Sequence, residues 1–106
     1  MDNRKFLSML GLAMKARKVV SGEVAVETAV KAGKAKLVII AEDASENTKK
    51  NYRDMAHYYK VPVYEGVPKA DLGLAIGKAS RAAIAVLDDG FSKLILKGLS
   101  DKTMRE

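Results

Sequence analysis

The run KLVIIA at residues 36–41 constrains the fold more than any other stretch of the chain. It is nearly all apolar, and a strand without polar alternation has to be covered on both faces. A sheet with helices on each side meets that demand. VPVY at 61–64 and RAAIAVL at 81–87 read as companion strands, the second ended by an Asp88-Asp89-Gly90 turn. Between the first two lies a helical segment from about Ser45 to Tyr59, with Thr48, Tyr52, Met55, Ala56 and Tyr59 on one side. Strand, helix and strand within about 30 residues form a right-handed crossover between parallel strands.

The other segments supply the covering layers. Residues 2–16 read as a helix capped by Asp2 or Asn3, with an inward stripe of Phe6, Met9, Leu10, Ala13 and Arg17. Gly11 inside it costs about 1 kcal/mol against alanine unless something packs closely there. Val19-Val20 is an extended entry, Ser21-Gly22 marks a helix start, and that helix runs to about Ala32 before Gly33 stops it. Val26, Ala29 and Val30 face inward, and Glu27 precedes Lys31 by four residues, a pairing that supports a helix by a few tenths of a kcal/mol. Residues 65–69 read as a loop. Ala70–Ala79 reads as a short helix burying Leu72, Ala75 and Ile76, with Gly73 and Gly77 permitting close packing. Phe91, Leu94, Ile95 and Leu99 suggest a closing helix, although KLILK also reads as a strand. The expected architecture is an α/β, three-layer α/β/α sandwich around a small mixed sheet. It forms one domain over residues 1–100, followed by a polar, frayed tail at 101–106.

Charge is distributed unevenly over this frame. The 106 residues carry 19 Lys or Arg against 13 Asp or Glu, a net charge of +6. Residues 1–36 hold 8 basic against 3 acidic side chains, a net of +5, whereas the other 70 hold 11 against 10, a net of +1. Such concentration is a footprint for a polyanion: nucleic acid first, then an anionic membrane surface or an acidic protein. No apolar run approaches the roughly 20 residues that span a bilayer. No basic-then-apolar signal peptide opens the chain, so the cytoplasm is the expected compartment. The absence of cysteine removes disulfides, thiolate nucleophiles and sulfur-ligated metals. A single histidine, His57, leaves no ordinary zinc site. Neither a metal nor a cofactor is expected.

Catalytic readings find little support. GLAIGK at 73–78 lacks the spacing of a phosphate loop and the hydroxyl residue after its lysine. Asp88-Asp89-Gly90 has carboxylates for magnesium, but two acids before a glycine are far more often a turn. Glu42-Asp43 follows a strand without a partner base, so capping the next helix is its expected role. His57 sits in a charged helix and is expected to be solvated.

Binding has more behind it. A helix starting at Gly22 directs unpaired amides, including that of Glu23, and its positive dipole end toward solvent. Glycine lets a phosphate approach that backbone closely. Lys15, Arg17 and Lys18 precede this start, and Lys31, Lys34 and Lys36 follow the helix. If both turns lie on one edge they form a cationic rim, with Lys18, Lys31 and Lys34 on phosphates. Phe6 and Phe91 read as buried, and the tyrosines form no evident platform for single strands. Structured RNA, met through shape and backbone, is the expected ligand.

The ordered set SGEVAVETAVKAGKAKLVIIAEDAS, VPVYEGVPKADLGLAIGK and RAAIAV resembles the ribosomal L7Ae/L30e family of kink-turn RNA binders over roughly residues 5–99. The resemblance implies an α/β/α sandwich that binds sharply bent RNA. It also implies that the segment Ser21, Gly22 and Glu23 enters the major groove beside tandem sheared G·A pairs. Val67, Pro68 and Lys69 would form the loop over a flipped-out nucleotide, Val67 packing on its base, with Arg81 beside that loop. Ribosomal or another kink-turn RNA, with ribonucleoprotein components, would be the partner. Where typical members place an Asn-Glu pair and a lysine, this chain has Val24, Ala25 and Thr28. Valine and alanine have no side-chain donors or acceptors, so base readout is lost there, and backbone and lysine contacts remain. The alternative expectation is a protein-interaction module that kept the fold, with Val24 and Ala25 in a small apolar contact patch.

Overall fold

The computed structural model describes residues 4–104, with side chains through residue 97. Its elements alternate as α1 (Arg4–Lys15), β1 (Val19–Ser21), α2 (Glu23–Lys31), β2 (Leu37–Ala41), α3 (Glu46–Tyr58), β3 (Val63–Val67), α4 (Lys69–Ala75), β4 (Ala83–Val86) and α5 (Asp89–Met104). The strands form one sheet in the order β1-β4-β2-β3. β4 runs antiparallel to β1 and β2, and β3 lies parallel to β2. The sheet is therefore mixed.

The apolar run that demanded two covers receives them. Leu37, Ile39 and Ala41 point into one core with Phe6, Leu10, Leu72 and Ile95, beneath α1, α4 and α5. Val38 and Ile40 point the other way, into a core with Val26, Val30 and Tyr52 under α2 and α3. β4 splits by size: Ile84 and Val86 face the first core, while Ala83 and Ala85 face the second. Those small side chains leave room for α2 to lie close over the sheet. The expected three layers are present.

Gly11 has the close neighbour its position required, since an added Cβ would lie 3.1 Å from the Ala75 carbonyl oxygen of α4. Gly73 is tighter still. A Cβ there would fall 2.0 Å from the Ala79 oxygen, so α4 abuts its own exit segment. Gly77 does something else: it takes φ 72° just past α4 and meets nothing within 4 Å. It turns the chain instead of permitting contact.

Several expectations shift, among them the helix expected over residues 70–79, which runs from Lys69 to Ala75. Arg17 leaves the α1 stripe, because the chain turns left-handed there with φ 62° and the side chain is exposed. β3 begins later and runs through Val67, taking in most of the expected loop. Asp43 caps α4, accepting from the Lys69 amide at 2.9 Å, while Ser45 caps α3 by accepting from Thr48 N at 3.1 Å. The closing segment is a helix that continues to Met104, so KLILK is not a strand and the chain stays helical past Ser100. The cap expected at Asp2 or Asn3 lies outside the described residues, as do residues 105 and 106.

Candidate nucleic-acid interface

The strand directions divide the sheet into two ends. β1 and β2 run the same way, so Gly22 and Glu42 leave at one end. Lys18 and Lys36 enter at the other, where Lys36 donates its amide to the Val86 oxygen and Leu87 donates to the Lys18 oxygen, each at 2.7 Å. β4 begins at the Gly22 end, its neighbour Ala82 accepting from the Ala41 amide at 2.8 Å.

At the first end the chain brings together residues far apart in sequence. Gly22, the N-cap of α2, adopts φ 94° and ψ 155° and carries no side-chain cap. Nothing lies within 4 Å of the position a Cβ would take, so the approach to the first turn is open. Arg81 donates Nε–H to Ser21 Oγ at 3.2 Å and Nη1–H to the Ala79 and Ser80 oxygens at 3.2 and 3.1 Å. Its own amide reaches the Lys69 oxygen at 3.1 Å. Arg81 thus ties the helix start, the start of α4 and the entry to β4 into one surface, in which it is a strut. Val24 stands on this surface 78 % exposed. Glu23 and Thr28 are also exposed, and Ala25 is half-buried.

Two expected contacts change. Val67 does not face outward: it is fully buried, packed in the α1/α4/α5 core. The cause is a bulge. Ile40 pairs with Glu65 but Ala41 pairs with Val67, leaving Gly66 as the extra residue. One inserted residue reverses which face the next side chain takes. Glu65 points toward α3, where Arg53 holds it at 2.5 and 2.7 Å, and Val67 turns into the core. Pro68 and Lys69 are what the loop shows to solvent.

The cationic rim, second, does not gather at Gly22. Lys15 ends α1, Lys18 precedes β1, Lys31 ends α2 and Lys34 lies in the turn before β2. Nine residues of α2 at about 1.5 Å each place Lys31 about 14 Å from the helix start. β1 carries the chain from Lys18 across the same sheet. Neighbours in sequence become opposite ends in space. Lys31 is also engaged with Glu27 at 2.7 Å, a hydrogen bond that raises its pKa. At the Gly22 end the charges are mixed: Lys69 and Arg81 stand among Glu23, Glu42, Asp43 and Glu46. Glu23 and Glu27 line the groove between α2 and α3 together with Tyr52, whose hydroxyl is pushed up to about 12 by burial, then by these two acids.

Sequence reading missed one feature. Tyr58 and Tyr59 close α3 at the lysine-rich end, 77 % and 40 % exposed, with ring centroids 4.9 Å apart and planes at 75°. Two aromatics followed by Lys60 at a helix end were the available signal. Among the described residues no helix is long and apolar enough to cross a membrane, and no three His, Cys, Asp or Glu side chains could share a metal ion.

Three layers on a mixed four-stranded sheet, with an uncapped helix start at one end, define a small α/β/α module. The chain belongs to the ribosomal protein L7Ae/L30e/S12e/Gadd45 family, which residues 4–96 match. It is 45 % identical over 96 residues to the RNA-binding protein YlxQ of Bacillus subtilis, covering 91 % of this chain and 96 % of that one. It is 31 % identical over 98 residues to the large ribosomal subunit protein eL8 of Thermoplasma volcanium, covering 92 % of this chain and 81 % of the relative. A solved structure of a Bacillus halodurans protein with unknown function superposes with TM-score 0.84 at 43 % identity, over 88 % of this chain and 94 % of that one.

Proposed function

We propose that this protein is a non-enzymatic, cytoplasmic RNA-binding protein that meets structured, kink-turn-like RNA, ribosomal or in another ribonucleoprotein, at the start of α2 and the adjoining turn before α4. The observation that carries this reading is the open, uncapped turn at Gly22, held by Arg81 beside Lys69. It is supported by the names of the family and of the relative in Bacillus subtilis. Three consecutive amides at a helix start suit a phosphate, and Val24 offers an apolar surface for a sugar or base edge. The mixed charge of this end leaves little for long-range attraction, so fit at the backbone governs binding. Val24 and Ala25 supply no hydrogen-bonding side chain, and discrimination between a kink-turn and a plain duplex stays below about a thousandfold. Titration of both RNAs at matched salt tests this; a larger preference refutes the weak-readout part.

The exposure of Val24 also suits a protein contact. Pull-down before and after nuclease treatment separates the two readings, because protein partners survive the nuclease and RNA-bridged ones do not.

A further inference from the structure

We propose that the sheet end opposite Gly22 is a second RNA surface, one that takes an unpaired nucleotide, with Tyr58 and Tyr59 for its base and Lys36, Lys60 and Lys93 for the flanking phosphates. The proposal rests on reading the protein as an RNA binder, but not on where the first contact lies. Tyr59, Lys36, Lys60 and Lys93 line one open cavity between the end of α3 and the start of α5, together with Asp89 and Ser92 of α5. Lys18 and Lys34 stand nearby, on the turns into β1 and β2.

The alternative is that these lysines only neutralise the negative ends of helices. That explains Lys15 and Lys31, the last residues of α1 and α2. It does not explain Lys93, which sits near the positive start of α5. Nor does it explain the turns. α1, α2 and α3 all end here in the same double hydrogen bond: Arg17 to Met14 with Lys18 to Ala13, Gly33 to Val30 with Lys34 to Ala29, and Lys60 to His57 with Val61 to Ala56. The pivot of that motif is left-handed and favours glycine. α2 uses Gly33 at φ 75°, but the other two use Arg17 and Lys60, at φ 62° and 60°. Two cations thus occupy strained positions that glycine would fill at lower cost.

Pairing points the same way. Ion pairs elsewhere in the fold join Lys31 to Glu27, Lys49 to Glu46, Lys50 to Asp54 and Arg53 to Glu65. Among the described residues no carboxylate lies within 4 Å of the ammonium group of Lys18, Lys34, Lys36, Lys60 or Lys93. Asp88 is committed to its own helix, accepting from the Phe91 amide at 2.9 Å. Lys36, Lys60 and Lys93 share the cavity with Tyr59, whose ring meets that of Tyr58, an arrangement that suits a single strand, whose phosphates track the charge while a base stacks. Ala35, Val61, Pro62 and Leu96 add an apolar lining to the same cavity, so competition by an acidic polymer is the control that separates RNA from an acidic protein.

The test is titration of a hairpin with a bent internal loop, blunt or carrying a uridine tail of about ten nucleotides, within the span one such surface covers. The tail is expected to tighten binding to the native protein about tenfold, the effect of one stacked base. Tyr58→Ala combined with Lys60→Gly should abolish that gain, keep affinity for the blunt hairpin and melt no lower. Val24→Glu should weaken the blunt hairpin and keep the gain from the tail. If Val24→Glu changes nothing, the reading of the Gly22 end fails while this one stands. No gain from the tail, a gain that survives Tyr58→Ala with Lys60→Gly, or equal competition by polyglutamate of matched charge would overturn the second surface.

Discussion

The two ends of the sheet differ in features that lie close together in the sequence. The Gly22 end is rigid, mixed in charge and cross-tied: Arg81 spans three segments, and Asp43 fixes the start of α4. The other end is strongly basic, carries exposed tyrosines and is built from three helix-terminating turns. One end offers backbone geometry with little field, and the other offers field with little fixed geometry. If RNA meets both ends as proposed, shape-dependent recognition and salt-dependent attraction should be separable by mutation. In a rim where both lay together they would not be.

The strongest way to break the contrast is Gly73→Ala. Its Cβ would press on the backbone of Ala79 and Ser80, at 2.0 and 2.8 Å, the segment that delivers Arg81. We expect a loss of about 3 kcal/mol in urea unfolding, with binding of blunt RNA falling further than the contribution of the tail. Val24→Glu sharpens the contrast. It adds an acid to the first turn of α2, where the dipole favours it by about 0.3–1 kcal/mol. The melting temperature should hold or rise while blunt-RNA affinity drops about tenfold or more, as measured by titration; a fall in both would make Val24 a structural residue.

Reversing Lys18 and Lys34 together should flatten the salt dependence of tailed-RNA binding by about two units of slope. An unchanged slope would place the RNA elsewhere. Lys60→Gly should stabilise the fold by about 1 kcal/mol by releasing a left-handed lysine, visible in chemical denaturation. The smallest effect concerns acid. The hydrogen bond from Arg53 lowers the Glu65 pKa, so the pair contributes stability above the ordinary value of 4.5 and loses it as pH falls through the lowered one. Arg53→Met should shrink that acid limb slightly in pH-dependent melting, because Arg53 is about half exposed and solvent screens the pair.

The layers were legible because their signals are local. KLVIIA had to be covered twice, and Val26, Ala29 and Val30 lie where helical spacing put them. The Glu27–Lys31 pair follows from spacing alone. The lysines were misplaced because charge clustering along a chain says nothing about which end of a strand a turn occupies. A three-residue β1 and a nine-residue α2 suffice to carry Lys18 and Lys31 away from Gly22. Val67 was misread because a parallel-strand bulge changes parity without changing composition. Arg81 as a strut depends on contacts across 60 residues, beyond any window of periodicity.

The bulge at Gly66 has one more effect. β3 is an outer strand, and a straight outer strand invites a second copy to add its own ladder. The irregular spacing there, with Arg53 folded over Glu65, breaks the hydrogen-bond register such a copy would have to match. The same residue that turned Val67 inward thereby makes this margin of the sheet a poorer template for an added strand.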